Sequence, residues 1–397
     1  MKPPVVTPSS SGSGTCPGQP PHSSPEDAPK PAPAGRSSSA VRPSAVVIGG
    51  GIGGLATAIA LRSDGWQVDV LERADAAPPA GTALGLWPSA LAALDALGIG
   101  TAVRNLGRPQ TGGAFLRPDG RRIAVLDVAG LARRTGDAVH LLSRPALLGL
   151  LHDAAGPGAV RFGAPVDGGR LPALEAAYDL VIAADGLNSR ARTALFGPAY
   201  RAVYAGATGW RGTVTGDIGT YTETWGEGRR FGITPQEGGR TNWFAAAPEP
   251  PGARSPDGEP AALRARFGHW HAAVRDILDR LEEGEVLRHD LYHLDLPLPR
   301  YFSGRTVLLG DAAHAMTPDL GRGACEALLD AVELASALRA APDIPSALRA
   351  YDAKRRPATQ RLARTARAMN RMARVRRCTG ARNAVLRAAL TIGGPPP

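Results

Sequence analysis

Three short stretches combine residue types and spacings suited to a phosphate-bearing ligand. The first is Gly49-Gly50-Gly51-Ile52-Gly53-Gly54, in which Gly49, Gly51 and Gly54 form a GxGxxG pattern. Gly49 permits a tight turn, Gly51 lets backbone approach a pyrophosphate, and Gly54 lets a helix pack closely on a strand. The helix N-terminus then stabilises the phosphate charge. Glu72-Arg73 closes the next strand, where a carboxylate fits the hydroxyls of an adenosine ribose. The second stretch ends an apolar run on Asp185-Gly186, with Ser189 and Arg192 at DGxxSxxR spacing. Asp-Gly alone marks a turn; at the carboxyl end of a buried strand it stands where open α/β sheets bind ligands. The third runs from Thr306-Val307-Leu308-Leu309 into Gly310-Asp311, then through Pro318-x-x-Gly321-x-Gly323-Ala324. An Asp there suits a ribityl or ribose hydroxyl, and the glycines free backbone N–H groups at the following helix start.

Each stretch needs a strand before it and a helix after it. Ala45-Val46-Val47-Ile48 is an apolar run of the buried-strand type. Leu55 to Leu61 repeats Ala, Ile and Leu with a helical period, and Val68–Leu71 is the next strand, completing a βαβ unit. Turn signals at Pro109, Gly112-Gly113 and Pro118-Asp119-Gly120 predict a β-meander over 107–130. Helices are expected over 143–155, 261–283, Cys325–Arg339 and 346–390, and short antiparallel strands over 200–250.

The 397 residues suffice for one large or two ordinary domains. With 43% hydrophobic and 21% charged residues, the chain reads as a globular enzyme. It has no run of eighteen apolar residues and so no spanning helix by sequence. Cys16, Cys325 and Cys378 lie far apart without CxxC, which argues against a disulfide scaffold or thiolate zinc site and for a reducing, cytoplasmic setting. The net charge of +10 is local: twelve Lys or Arg and no Asp or Glu lie from Lys354 onward, leaving the rest at −2. That distribution argues against a nucleic-acid-binding surface. Residues 1–44, rich in Pro, Ser and Gly, read as a disordered tail with no apolar signal segment.

Taken in order, the three motifs resemble the single-component FAD-dependent aromatic hydroxylases, the para-hydroxybenzoate hydroxylase-like family. The likeness is nearest to the subgroup of salicylate, 6-hydroxynicotinate and urate hydroxylases and zeaxanthin epoxidase, and spans roughly Val46 to Arg356. It implies an α/β fold: a Rossmann-type FAD-binding domain, an inserted antiparallel-sheet substrate domain and a C-terminal helical segment. The expected division is 45–199 and 295–345 for FAD, 200–294 for substrate, and 346–397 for basic helices.

The resemblance also implies an enzyme that uses FAD, NAD(P)H and O2 to hydroxylate or epoxidise a small aromatic or unsaturated substrate through a flavin C4a-hydroperoxide. The nicotinamide cofactor would bind transiently, in keeping with the single GxGxxG. A flavin oxidase or reductase without oxygen insertion, or a redox-silent FAD-binding protein, is the alternative. By resemblance Glu72 and Arg73 meet the adenosine end, Arg144 the FAD phosphates, Asp185 both FAD and NAD(P)H, Asp311 the ribityl chain, and Pro318 and Gly321–Ala324 the isoalloxazine. This chain departs from the family at Asp319 (often Asn), Arg322 (often Gln) and Leu329-Asp330 (often Glu-Asp). Arg322 would stabilise a reduced, anionic flavin or face solvent.

Other residues allow two readings each. Arg211 fits an acidic or phenolate substrate, or a structural place in a sheet. Tyr221, Trp225, Trp243 and Phe244 fit an aromatic pocket, but at period two half of them belong to a core. His293 suits a general base for a phenol. His289 and His293 lie on a strand-like stretch, His269-x-His271 is poorly spaced for a metal, and no metal is expected. His314 reads as structural. Arg364, Arg367, Arg371 and Arg374, at helical spacing, read as a solvated face, with contact to a membrane surface or an acidic carrier protein the unsupported alternative.

Overall fold

The computed structural model describes residues 42–78, 81 and 83–393; the expected tail lies mostly outside them. A six-stranded sheet runs in the order β15 (Phe302–Ser303), β16 (Thr306–Leu308), β9 (Leu180–Ala183), β1 (Ser44–Ile48), β2 (Gln67–Leu71), β8 (Val160–Arg161). All its pairings are parallel except β15 with β16. Burial on both faces explains the unbroken apolar runs: Ala45, Val46, Val47, Leu180, Val181, Ile182 and Ala183 are all fully buried. The helix Ile52–Ser63 follows β1 and buries Leu55, Ala56, Ala58 and Leu61 in the same core.

A seven-stranded sheet runs β14 (Leu287–Leu294), β10 (Ala202–Thr215), β13 (Arg240–Ala247), β12 (Arg230–Gln236), β11 (Tyr221–Trp225), β5 (Gly113–Leu116), β6 (Arg122–Leu126). One face carries Trp210, Phe231, Ile233 and Trp243 against the helices Glu259–Phe267 and Ala272–Asp279. Side chains alternate across strands, so Arg211, Arg230 and Phe244 occupy the opposite face. That end of the sheet meets two further strands, at Ala83 and Ser143: Ala83 N–H donates to Asn242 Oδ1, and Ser143 N–H to Glu237.

A small third sheet runs β3 (Ala83–Leu86), β7 (His140–Ser143), β4 (Arg108–Pro109). The segment expected as one meander is therefore divided. β4 joins this small sheet, the β5–β6 hairpin extends the large one through a parallel β5–β11 pair, and Val128–Thr135 is helical. The large sheet thus draws on residues outside 200–294. The helix expected over 261–283 breaks at Gly268–His271, where Gly268 and a turn on Phe267 end the first helix. His271 caps the second helix and its Nε2 bonds Thr224 Oγ1 at 2.8 Å.

The C-terminal segment forms the helices Ile344–Ala373 and Thr379–Gly393. Their arginines are only partly a solvated face. Arg364 and Arg371 are exposed, but Arg367 donates to Leu294 O and Arg374 to Ala205 O, both at the end of the large sheet. Among the described residues no helix is long and apolar enough to cross a membrane.

Candidate active site

The first glycine loop is shaped by contacts that exclude side chains. Gly49 has φ +110°, and a Cβ there would lie 2.4 Å from Ala184 O. A Cβ on Gly54 would lie 2.0 Å from Gly49 O. Gly51 differs: the space a Cβ would enter is open, and Gly51 caps the Ile52–Ser63 helix without a side chain. The first-turn N–H groups are thus left to a ligand. Glu72 has a task that its spacing did not suggest. Its Oε2 accepts from Gly50 N–H at 2.7 Å and its Oε1 from Ala74 N–H at 2.9 Å, so it braces the glycine turn itself. Arg73 is exposed.

The second and third motifs are fastened together. Asp185 Oδ2 accepts from the N–H groups of Arg190 and Ala191, while its buried Oδ1 has no partner among the described residues. Ser189 caps the following helix by accepting from Arg192 N–H. Arg192 is buried and donates to Leu187 O, Tyr200 O, Asp311 O and Ala312 O. One guanidinium therefore joins the loop after β9 to the loop after β16. Asp311 has an exposed face, although protein packs densely round its carboxyl. Burial pushes its pKa up, against His314, Arg144 and Arg192, which favour the carboxylate. Arg144, at the start of the Arg144–Ala155 helix, is exposed and acts electrostatically on both Asp311 and Arg211. Pro318 is exposed, Gly321 is left-handed at φ +61°, and the space beside Gly321 and Gly323 is open. The helix Gly323–Ala340, with Ala324 in its first turn, has no side-chain cap. Two uncapped helix starts, open glycines and an unpartnered carboxylate oxygen fit the pyrophosphate, hydroxyls and ring of FAD.

Arg322 does not face solvent. It is 7% exposed, with its guanidinium 5.4 Å above the Trp87 ring and 3.1 Å from Glu326.

The sheet face towards these loops holds a charged network that sequence reasoning missed. Arg230 lies between Glu223 at 3.3 Å and Asp319 at 2.9 Å. Tyr221 OH and Trp225 Nε1 both donate to Glu223, and Asn370 reaches Asp319. Burial opposes the Arg230 charge, but Asp319 and Glu223 outweigh it and push the pKa up. Burial and Glu223 hold Tyr221 well above its ordinary value, so it stays a hydroxyl. The unusual Asp319 thus has its own cation. Only strand register makes this legible, because Trp225 and Arg230 are cross-strand partners.

Arg211 pairs across the sheet with Phe244 on one side and Leu287 on the other. Among the described residues its side chain has no hydrogen bond or ion pair. Burial and the nearby Arg230 and Arg144 lower its pKa. Phe244 packs against Gly232, where a Cβ would come within 2.1 Å of the ring, and the Arg230 guanidinium lies 5.8 Å from the ring centroid. Trp243 points the other way and stacks on Phe231 at 5.7 Å in the core.

Arg211, Tyr221 and His293, the residues whose types suit substrate binding and proton transfer, do not meet. Tyr221 lies four strands from β14, roughly 19 Å at ordinary strand spacing. His293 pairs with Val203 near Arg367, away from Arg211, and burial and Arg367 lower its pKa. His289, opposite Gly209, is the histidine on the same face as Arg211.

Comparison with known proteins agrees with this geometry. The family model described as FAD binding domain matches residues 42–366. The aurachin C monooxygenase/isomerase of Stigmatella aurantiaca is 37% identical over 325 residues, 78% of this chain and 84% of that protein. The FAD-dependent urate hydroxylase of Klebsiella pneumoniae is 34% identical over 328 residues, 78% of this chain and 85% of that protein. The crystal structure of Klebsiella pneumoniae HpxO with FAD and uric acid superposes with a TM-score of 0.79 at 31% identity, covering 87% of this chain and 93% of that one. The glycine loop and the six-stranded sheet thus belong to a shared Rossmann-type design, and this chain is a member of the FAD-binding-domain family and an FAD-dependent monooxygenase.

Proposed function

We propose that the enzyme oxygenates a planar aromatic or conjugated substrate that carries an anionic group, a carboxylate, phenolate or enolate. The observation that carries this reading is Arg211: a partly buried guanidinium beside the Phe244 ring, on the face towards the cofactor loops, without a carboxylate of its own. A guanidinium binds a planar anion through two parallel N–H groups, and a flat ring beside it suits a flat substrate. Bound FAD would supply the redox chemistry, accepting a hydride from NAD(P)H and activating O2.

The protein's own residues do the rest. The Gly49–Gly54 loop and Arg144 hold the FAD phosphates, while Glu72 braces the loop and, with Arg73, borders the adenosine end. Asp185 and Asp311 take hydroxyls of the cofactor chain. Pro318 and the Gly321–Ala324 backbone border the ring. Arg211 orients the substrate anion. Tyr221, as a neutral hydroxyl, and the Arg230 network close the far side of the pocket. The six-stranded sheet is the FAD-binding part and the seven-stranded sheet the substrate part. Hydroxylation of a ring carbon is favoured over epoxidation, because a bound phenolate or enolate is an electron-rich nucleophile.

The test is anaerobic mixing of the yellow protein with NADH or NADPH, alone and with paired ring compounds that differ only in an ionised group. Flavin bleaching accelerated by the anionic member of a pair supports the reading. Equal acceleration by both members would sink it.

A further inference from the structure

A chain of buried charge runs beneath the two loops that border the flavin ring, and nothing in the reading above uses it. His314 Nε2 lies 2.6 Å from Asp330 Oδ2, which also accepts from Gly310 N–H at 2.8 Å. Arg355, on the Ile344–Ala373 helix, donates through Nε to Asp330 Oδ1 and through Nη2 to Glu326 Oε2, each at 2.6 Å. Glu326 Oε1 in turn accepts from Arg322 at 3.1 Å. Asp330 is fully buried, and His314, Glu326, Arg322 and Arg355 are all under 9% exposed. Five ionisable groups from three elements are thus joined away from water.

The two ends of the chain matter most. One end is the backbone of Gly310, the residue before Asp311. The other is Arg322, which sits between Gly321 and Gly323. The first loop follows a strand and the second starts the Gly323–Ala340 helix; Glu326 and Asp330 lie one turn apart on that helix, and their side chains reach Arg322 and the Gly310 N–H respectively, so the orientation of the two carboxylates decides how the loops are held. Arg355 is the only member from outside the 310–330 segment, and its guanidinium fork is the piece that spans both carboxylates. A lysine delivers the same charge from one nitrogen without the planar fork, so it cannot reproduce the separate Nε and Nη2 contacts to the two carboxylates.

We propose that Arg355 is a positioning residue for the cofactor: through Asp330 and Glu326 it sets the spacing between the Gly310–Asp311 loop and the Arg322 loop, and so the seat of the flavin ring. The C-terminal helix is then part of the cofactor site although it touches no cofactor. The inference rests on FAD binding by this chain and not on the anionic-substrate reading, so either can fail alone.

Arg355→Lys in the full chain tests it, with the exposed Arg361→Gln on the same helix as control. The readouts are the FAD dissociation constant from flavin fluorescence quenching, the flavin midpoint potential and the Tm of the apoprotein. Arg355→Lys should weaken FAD by roughly tenfold or more, as outer-layer partners of bound groups do, and shift the potential, while Arg361→Gln changes neither. In Arg355→Gly, added guanidinium should restore both, which a general loss of packing would not allow. If Arg355→Lys binds FAD with unchanged affinity and potential, whatever its Tm, the proposal is overturned. Should Arg355→Lys fail to fold, rescue of the glycine variant decides instead: recovery of FAD binding with guanidinium supports the proposal, and recovery of Tm without a change in FAD affinity or potential refutes it.

Discussion

Arg211 and His314 show how differently a buried charge behaves with and without a partner. Arg211 has no carboxylate partner among the described residues, so under the proposed function its removal should fall on binding. Arg211→Met should weaken an anionic ring compound by about 1.5–3 kcal/mol, roughly 10- to 150-fold in dissociation constant. Its neutral counterpart should bind as before, and flavin difference spectra read both. The His314–Asp330 pair should instead shape stability against pH. Burial opposes the Asp330 charge, but His314, Arg355 and Gly310 N–H outweigh burial and hold it at about 2, below its ordinary 3.8. Its contribution is therefore full above about pH 4 and is lost as pH falls towards 2. His314 is shifted the other way. Burial disfavours its charge, but Asp330 outweighs burial and raises the pKa above 6.5. Its contribution is full below 6.5 and is lost as pH rises through the raised value. Tm measured from pH 3 to 9 should peak between those limits, and Asp330→Asn should flatten both limbs. A variant that keeps the alkaline limb would show that another group titrates there.

Among elements, the pairing of β11 with β12 places one cation between two carboxylates. Arg230→Met would leave Glu223 and Asp319 buried without it. That change should cost about 3–5 kcal/mol and lower Tm on the order of 10 °C. Adding Glu223→Gln should recover part of the loss, and thermal melts of the single and double variants test this. The same element shows what was legible in the sequence. The strand, glycine loop and helix at 45–61 could be read directly, because neighbouring residues decide them. The two Asp loops could be read for the same reason. The Glu223–Arg230–Asp319 network could not, since it needs a hairpin register and a loop almost ninety residues away. Nor could the choice between Trp243 and Phe244: either could face the pocket until β13 gained its neighbours, and packing on Phe231 then assigned Trp243 to the core. The β5–β11 pair is parallel and long-range, so local turn signals suggested a meander instead.

For the whole molecule, the basic C-terminus is built into the fold and is not an appendage. The Thr379–Gly393 helix buries Leu386 beside Phe115 and Ile123, and Arg382 donates to Gly226 O and Trp225 O. Truncation after Cys378 should therefore lower Tm and loosen the β6 edge of the large sheet. Flavin absorbance should remain, because this helix lies away from the glycine loops. Hydrogen exchange in β5 and β6 measures the loosening, and unchanged exchange would refute it.

The strand order β16-β9-β1 also has a consequence for synthesis. β9 ends at Ala183, but the neighbour that covers its outer edge is β16, which ends at Leu308. At about 5–20 residues per second, a ribosome needs roughly 6–25 s to make the intervening stretch. Throughout that interval the emerging βαβ unit shows a bare parallel edge of Leu180–Ala183, the type of edge to which other chains add. Arg355 emerges later still. The nascent chain therefore carries an exposed, apolar strand edge for about a third of its translation, and its yield in a cell depends on what shields that edge until Thr306–Leu308 arrives.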